Sequence, residues 1–189
     1  NYYHDQITEF QGGKPQLVKG YTTDNYTTWA VDFINGKGRD AGKPWYLWLC
    51  YGAVHGPFTP AERHKGKYRQ AGVPIPKDVY PPRPGKPEYV QKMQHWEPKN
   101  GVPVEKKVRE LGPVGMKDIP GRLLGEWIKQ YHEGVRSIDE GVGRLLQALK
   151  DSGQDGDTLI VFTSDQGFAW GQHGFKSKER RNLKRKKGM

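Results

Sequence analysis

A single cysteine, Cys50, stands among the 189 residues, so no internal disulfide framework holds this chain. Long apolar runs are also missing. The most apolar stretch, Trp45–Tyr51, is seven residues, far short of the roughly 18 that a membrane span requires. The N-terminus, Asn1-Tyr2-Tyr3-His4, has neither an initiator Met nor a basic-then-apolar leader. It reads as an interior cut, and the compartment of a parent protein is therefore not legible. Apolar residues make up only 34% and mean hydropathy is −0.90. That deficit lies mostly in the middle of the chain and at its C-terminus.

What is abundant is positive charge, and its placement decides its meaning. The net charge is +10, of which +7 falls in the last fourteen residues, Lys176 to Met189. The other 175 residues carry only +3. Residues 176–189 thus read as a solvated, disordered basic tail. The body holds no nucleic-acid motif, so no nucleic-acid partner is expected.

Four segments read as regular structure. Residues 24–35 place Tyr26, Ala30, Phe33 and Ile34 on one helical stripe, behind the capping candidates Thr22, Thr23 and Asp24 and ahead of Gly36 and Gly38. Trp45–Tyr51, between Pro44 and Gly52, reads as a strand buried on both faces, with Cys50 an inert core residue. Between about Gly121 and Asp151, Leu124, Trp127, Ile128, Tyr131, Val135, Ile138, Val142, Leu145, Leu146 and Leu149 recur at helical steps. Asp157–Thr163 reads as a second buried strand. Helix, strand, long connection, helix, strand is the rhythm of an α/β sheet with parallel strands. Residues 57–120 hold twelve of the fourteen prolines; the spacing predicts an irregular excursion packed over one end of the sheet.

In open α/β sheets, sites form beyond the carboxyl ends of strands. The first strand runs into His55-Gly56-Pro57. The second runs into Ser164-Asp165-Gln166-Gly167, then Gly171-Gln172-His173-Gly174 and Lys178. Asp165 and Gln166 offer hard oxygen donors that suit Ca²⁺ or Mg²⁺ better than zinc. His55 can position or protonate an anionic leaving group, and Lys178 can neutralise a tetrahedral oxyanion. The combination points to metal-assisted sulfuryl or phosphoryl transfer. Asp-Gln-Gly is equally a good turn sequence, and a histidine beside Gly-Pro is commonly a plain loop residue.

These residues resemble the sulfatase family of the alkaline phosphatase superfamily. The stretches that carry the resemblance are Lys43–Leu49 with Ala53–Pro57, Tyr131–Val135 with Ile138–Glu140, and Thr158 to Gly174. The last is the most specific. The resemblance implies a three-layer α/β/α sandwich with a mostly parallel sheet, incomplete here, occupying residues 1–175. It implies one Ca²⁺ ion (Mg²⁺ also fits) and a formylglycine nucleophile made from Cys or Ser. Asp165 and Gln166 would be calcium ligands, and His55 and Lys178 would contact sulfate, with His173 behind them. The substrate would be an aryl or carbohydrate sulfate, and the setting periplasmic or secreted. Two elements of the family pattern are absent: the paired N-terminal aspartates and the Cys-x-Pro-Ser-Arg motif. Cys50 cannot replace the latter, because Gly52 and Val54 stand where Pro or Ala and Arg are needed. The nucleophile is therefore expected outside this chain. Two alternatives stay open: a phosphoester or phosphonate hydrolase of the same superfamily, and a non-catalytic pseudoenzyme.

Overall fold

The computed structural model describes residues 2–40, 42–106, 108–112, 115–119 and 122–176. The chain divides into two compact units, one of residues 1–71 with 129–161 and one of residues 72–128 with 162–189. In chain order the regular elements are β1 (His4–Thr8), β2 (Gln16–Tyr21), α1 (Thr22–Ile34), a short α2 (Glu88–Gln91), β3 (Trp96–Lys99), β4 (Val102–Glu105), β5 (Val108–Gly112), β6 (Gly115–Ile119) and α3 (Leu124–Asp151). No helix among the described residues is long and apolar enough to cross a membrane.

In the first unit, β1 and β2 form an antiparallel hairpin whose chain leads directly into α1. Asp24 sits in the first turn of α1, where a carboxylate suits the positive end of the helix dipole. The expected capping residues do not cap: Tyr21 occupies that position without a side-chain bond, and the Thr22 amide donates to the Tyr3 carbonyl at 2.9 Å. The other end is closed by a cation. Arg39 Nε and Nη2 donate to the Phe33 and Ile34 carbonyls, each at 2.8 Å, satisfying groups that a helix terminus leaves open.

Helix α3 carries the expected apolar stripe except at Leu146, which is exposed, and its C-terminus ends in a Schellman arrangement. Gln154 N–H donates to Leu149 at 2.9 Å and Gly153 N–H to Lys150 at 3.0 Å. Within this unit Ala148 and Leu149 pack with Ile34, Val31, Leu145 and Trp45. Arg63 ties α1 to α3: it forks onto Asp24 of α1 at 2.7 and 2.8 Å and reaches Glu140 of α3 at 2.8 Å. Burial opposes ionisation of Glu140. The hydrogen bond and charge of Arg63, then those of His64, outweigh it and hold the carboxyl below its ordinary value.

At Gly141 the helix comes so close to its neighbours that a side chain has no room. A Cβ there would lie 2.6 Å from Thr27 Oγ1 and 2.8 Å from the Tyr51 hydroxyl, which share a 2.9 Å hydrogen bond. Gly→Ala inside a helix ordinarily gains about 1 kcal/mol. Here overpacking, at about 1–3 kcal/mol, outweighs that gain. Gly141→Ala is expected to lower the urea midpoint; a raised midpoint would show that the Thr27–Tyr51 contact yields freely.

Two expectations are not met among the described residues. Residues 45–51 and 157–163 are not strands, and no parallel sheet forms among the described residues; the sheets are three separate antiparallel pairs. A strand needs a ladder partner for its N–H and C=O groups, and no other described strand supplies one. Trp45, Leu47, Leu49 and Tyr51 are half-buried, whereas Tyr46, Trp48 and Cys50 between them are exposed, so this segment is covered on one face only. Cys50 is accordingly not a core residue. Leu159 and Val161 are 89% and 77% exposed.

The proline-rich segment also departs from expectation, because its second half folds into the hairpins β3–β4 and β5–β6. The first turns at Asn100 and Gly101, with φ of 50° and 77°, values that an Asn-Gly turn supplies cheaply. In the second unit Val79, Trp96, Leu124 and Ile128 form the core, flanked by Val73, Tyr80, Trp127 and Trp170.

Candidate functional site

His55 lies on an exposed turn of the first unit. Backbone bonds make that turn: His55 N–H donates to Gly52 at 3.1 Å, and Phe58 N–H to His55 at 3.1 Å. Tyr3, almost fully buried, donates its hydroxyl to the His55 carbonyl. Burial raises the Tyr3 phenol well above its ordinary pKa, with Tyr21 and Tyr2 adding to the rise against a backbone bond at Phe58, so the hydroxyl stays protonated as the donor. From α3, Gln130 Nε2 donates to the Pro57 carbonyl at 2.9 Å, and Tyr131 meets the buried Phe58 ring edge-on at 5.7 Å. The turn is thus fixed from two sides. The ring of His55 lies 5.1 Å from that of Tyr2, and its Nδ1 is 2.9 Å from the Gly56 carbonyl. A carbonyl only accepts, so that contact puts the proton on Nδ1 and leaves Nε2 as the nitrogen that can meet a ligand.

Asp165 and Gln166 are adjacent and exposed in the second unit. The Gln166 amide donates to Asp165 Oδ1 at 2.9 Å, and Gln166 Nε2 lies 3.4 Å from Asp165 Oδ2. Ser164 Oγ donates to the Gln166 carbonyl at 2.8 Å, closing the turn. The donor types fit a hard cation. The number does not suffice, since Ca²⁺ takes roughly six to eight oxygens. The Gln166 carboxamide must also turn over to present its oxygen beside the carboxylate. Among the described residues no group of three His, Cys, Asp or Glu could hold a metal ion.

The Gly171–Phe175 turn that follows is held tightly within this unit. His173 has φ of 54°, a left-handed conformation rare for a residue with a side chain. Asp78 holds it there twice, accepting from the His173 amide at 3.1 Å and from its Nδ1. Burial opposes the charge on Asp78. The bonds and charge of His173 outweigh it and keep the carboxyl below its ordinary value. Gly174, at φ of 75°, lies against Arg83, whose Nη2 would be 2.1 Å from any Cβ. Arg83 is 2% exposed and donates to backbone carbonyls: to Asp78 and Val79 at 2.7 Å each, and to Val90 and Met93 at 2.9 Å each. Trp96 Nε1 donates to the Phe175 carbonyl at 3.0 Å.

Of the residues singled out from sequence, the structure brings Asp165 and Gln166 together. His55 belongs to the other unit, and Lys178 lies outside the described residues. Asp78 and Arg83 were missed, because nothing in a proline-rich stretch signals a partner 95 residues away.

A family model described as Sulfatase matches residues 1–187. The chain is 27% identical over 215 aligned positions to the N-acetylglucosamine-6-O-sulfatase of Bacteroides thetaiotaomicron, across 93% of the chain and 38% of that relative. It is 30% identical over 167 positions to PehA of Trinickia caryophylli, described as a multifunctional alkaline phosphatase superfamily protein, across 85% of the chain and 30% of PehA. A solved structure of a protein in complex with its substrate D-glucosamine-2-N,6-O-disulfate shares the fold, with TM-score 0.72 and 24% identity, across 92% of this chain and 42% of that one. The chain therefore spans about three tenths to two fifths of the length of these proteins.

Proposed function

This chain belongs to the sulfatase family, and on that premise we propose that it carries part of the catalytic domain of a sulfuric ester hydrolase, within residues 1–175, ahead of a basic tail. The observation that carries the reading is the family match through both Ala53–Pro57 and Thr158–Gly174, the segments that hold His55, Asp165 and Gln166. In the complete domain, residues 45–51 and 157–163 would be neighbouring strands of a mostly parallel sheet in a three-layer α/β/α sandwich. The half-buried, half-exposed alternation of 45–51 suits a strand whose second face awaits cover.

Asp165 and Gln166 would supply two oxygen ligands of a calcium ion. When bound, such an ion contributes positive charge opposite the oxygens of a sulfate ester. Protonated on both nitrogens, His55 would donate Nε2–H to the sulfate while Nδ1–H stays on the Gly56 carbonyl, and could pass the Nε2 proton to the departing alcohol oxygen. Lys178 would balance charge on the same group. One relative is named an N-acetylglucosamine-6-O-sulfatase, and the solved structure holds a disulfated glucosamine as substrate, which favours a carbohydrate sulfate. With no nucleophile motif among its 189 residues, the chain alone is expected to bind sulfate without turning over an ester.

The test is calorimetric titration of the chain with inorganic sulfate against phosphate. His55→Ala is expected to weaken sulfate binding about tenfold, as loss of a charge-assisted hydrogen bond would, with the melting temperature unchanged. Unaltered affinity would remove His55 from the site. The similarity to PehA supports a second reading, phosphoester or phosphonate hydrolysis; tighter phosphate than sulfate binding would favour it.

A further inference from the structure

The Asp78–His173 pair in the second unit is a carboxylate–imidazole contact that this reading does not use, and His173 stands in the chain between Gln166 and the basic tail. Three observations bear on it. First, His173 adopts a strained left-handed backbone (φ 54°), and strain of that kind persists only where surrounding structure over-determines it and collects at functional sites. Second, the over-determination is visible: Asp78 takes both the backbone amide and ring Nδ1 of His173, Gly174 rests on the buried Arg83 guanidinium, and Trp96 holds Phe175. Third, the ring is not consumed by its partner. The His173 side chain is 42% exposed, and Nε2 makes no hydrogen bond to a described residue.

A carboxylate on Nδ1 fixes the tautomer and turns Nε2 outward, as in any carboxylate–imidazole pair that presents one nitrogen to a ligand. Arg83 adds a positive charge that acts on Asp78 through space. A backbone bond and a ring bond to one carboxylate leave His173 little rotational freedom, so Nε2 has a set direction rather than a solvent-averaged one.

We propose that Asp78, from the proline-rich segment, is a positioning residue that holds the protonated ring of His173 so that its Nε2–H is offered to a tetrahedral oxyanion, making His173 a histidine contact to sulfate. This rests on the sulfate-ester reading above and extends it to a residue on which that reading does not depend. It also gives the proline-rich segment a part in the site, since that segment carries the carboxylate that sets one of its groups.

The imidazole nitrogens of the ¹⁵N-labelled 189-residue chain report this directly. In the wild-type chain neutral His173 is expected as the Nδ1–H tautomer. Inorganic sulfate, compared with chloride at equal ionic strength, should shift the Nε2 signal of the protonated ring, whose Nε2–H is the donor a sulfate oxygen accepts. In Asp78→Asn the neutral ring should move toward the Nε2–H tautomer, and the sulfate response of the protonated ring, no longer held by a carboxylate, should fall about tenfold, the scale of a lost charge-assisted bond. Asp78→Glu should restore part of both. Melting curves of each variant separate loss of the pair from loss of the fold, and the wild-type measurement needs no variant. Sulfate that shifts His55 but leaves His173 unmoved overturns this inference and leaves the proposed function standing. An Asp78→Asn response equal to wild type also overturns it. Silence at both histidines overturns both.

Discussion

Replacing Arg83 with methionine is expected to destabilise the chain by roughly 3 kcal/mol, because each buried carbonyl left without its donor costs about 1–3 kcal/mol. The guanidinium is 2% exposed and donates to four backbone carbonyls within one stretch of chain, Asp78 to Met93. Each charge-assisted bond is worth about 1.5–3 kcal/mol net. Burying an arginine whose bonds go to carbonyls costs several kcal/mol in return, and burial accordingly pulls its pKa down against the opposing charge of Asp78. The balance still favours the native arrangement, because methionine would fill the volume and leave four buried acceptors empty. Lysine should not rescue, since one ammonium cannot span that fork. Urea denaturation of Arg83→Met and Arg83→Lys measures this. A change under about 1 kcal/mol would mean that water replaces the guanidinium without cost.

The second large effect concerns association. Tyr46 and Trp48 are 80% and 77% exposed, and Leu159 and Val161 are 89% and 77% exposed, on extended segments with no ladder partner among the described residues. Unpaired apolar backbone of this kind templates pairing with other chains. The 189-residue chain is therefore expected to form concentration-dependent assemblies at about 100 μM, within the range where exposed strand edges aggregate. Trp48→Lys combined with Leu159→Thr and Val161→Thr should return it to monomer. Sedimentation velocity decides: a wild-type chain that stays monomeric would show these segments to be shielded in solution.

The parts of this fold legible in the sequence are those whose signal is local. Helices α1 and α3 declare themselves because apolar residues at three- and four-residue steps have one structural use, and both start and stop within a few residues of where the pattern does. The Trp45–Tyr51 run was legible as extended and apolar but not as unpaired, since pairing is a property of the neighbours. The β3–β4 hairpin had a local signal in Asn100-Gly101, overlooked because the surrounding prolines argued for irregularity. For the site, His55, Asp165 and Gln166 stood out by residue type and motif. The orientation of each, such as the Gly56 contact that leaves His55 Nε2 open, needed coordinates. Asp78 could not be found from sequence at all, since its meaning comes from His173.

Calcium titration of the 189-residue chain, followed at the backbone amides of 164–167 and the Gln166 side-chain amide, tests the proposed function most directly. Coordination by Asp165 and Gln166 predicts shifts concentrated at those amides, reversed by a chelator and lost in Asp165→Ala. Shifts scattered over surface carboxylates with these amides unmoved, or an unchanged response in Asp165→Ala, would contradict it.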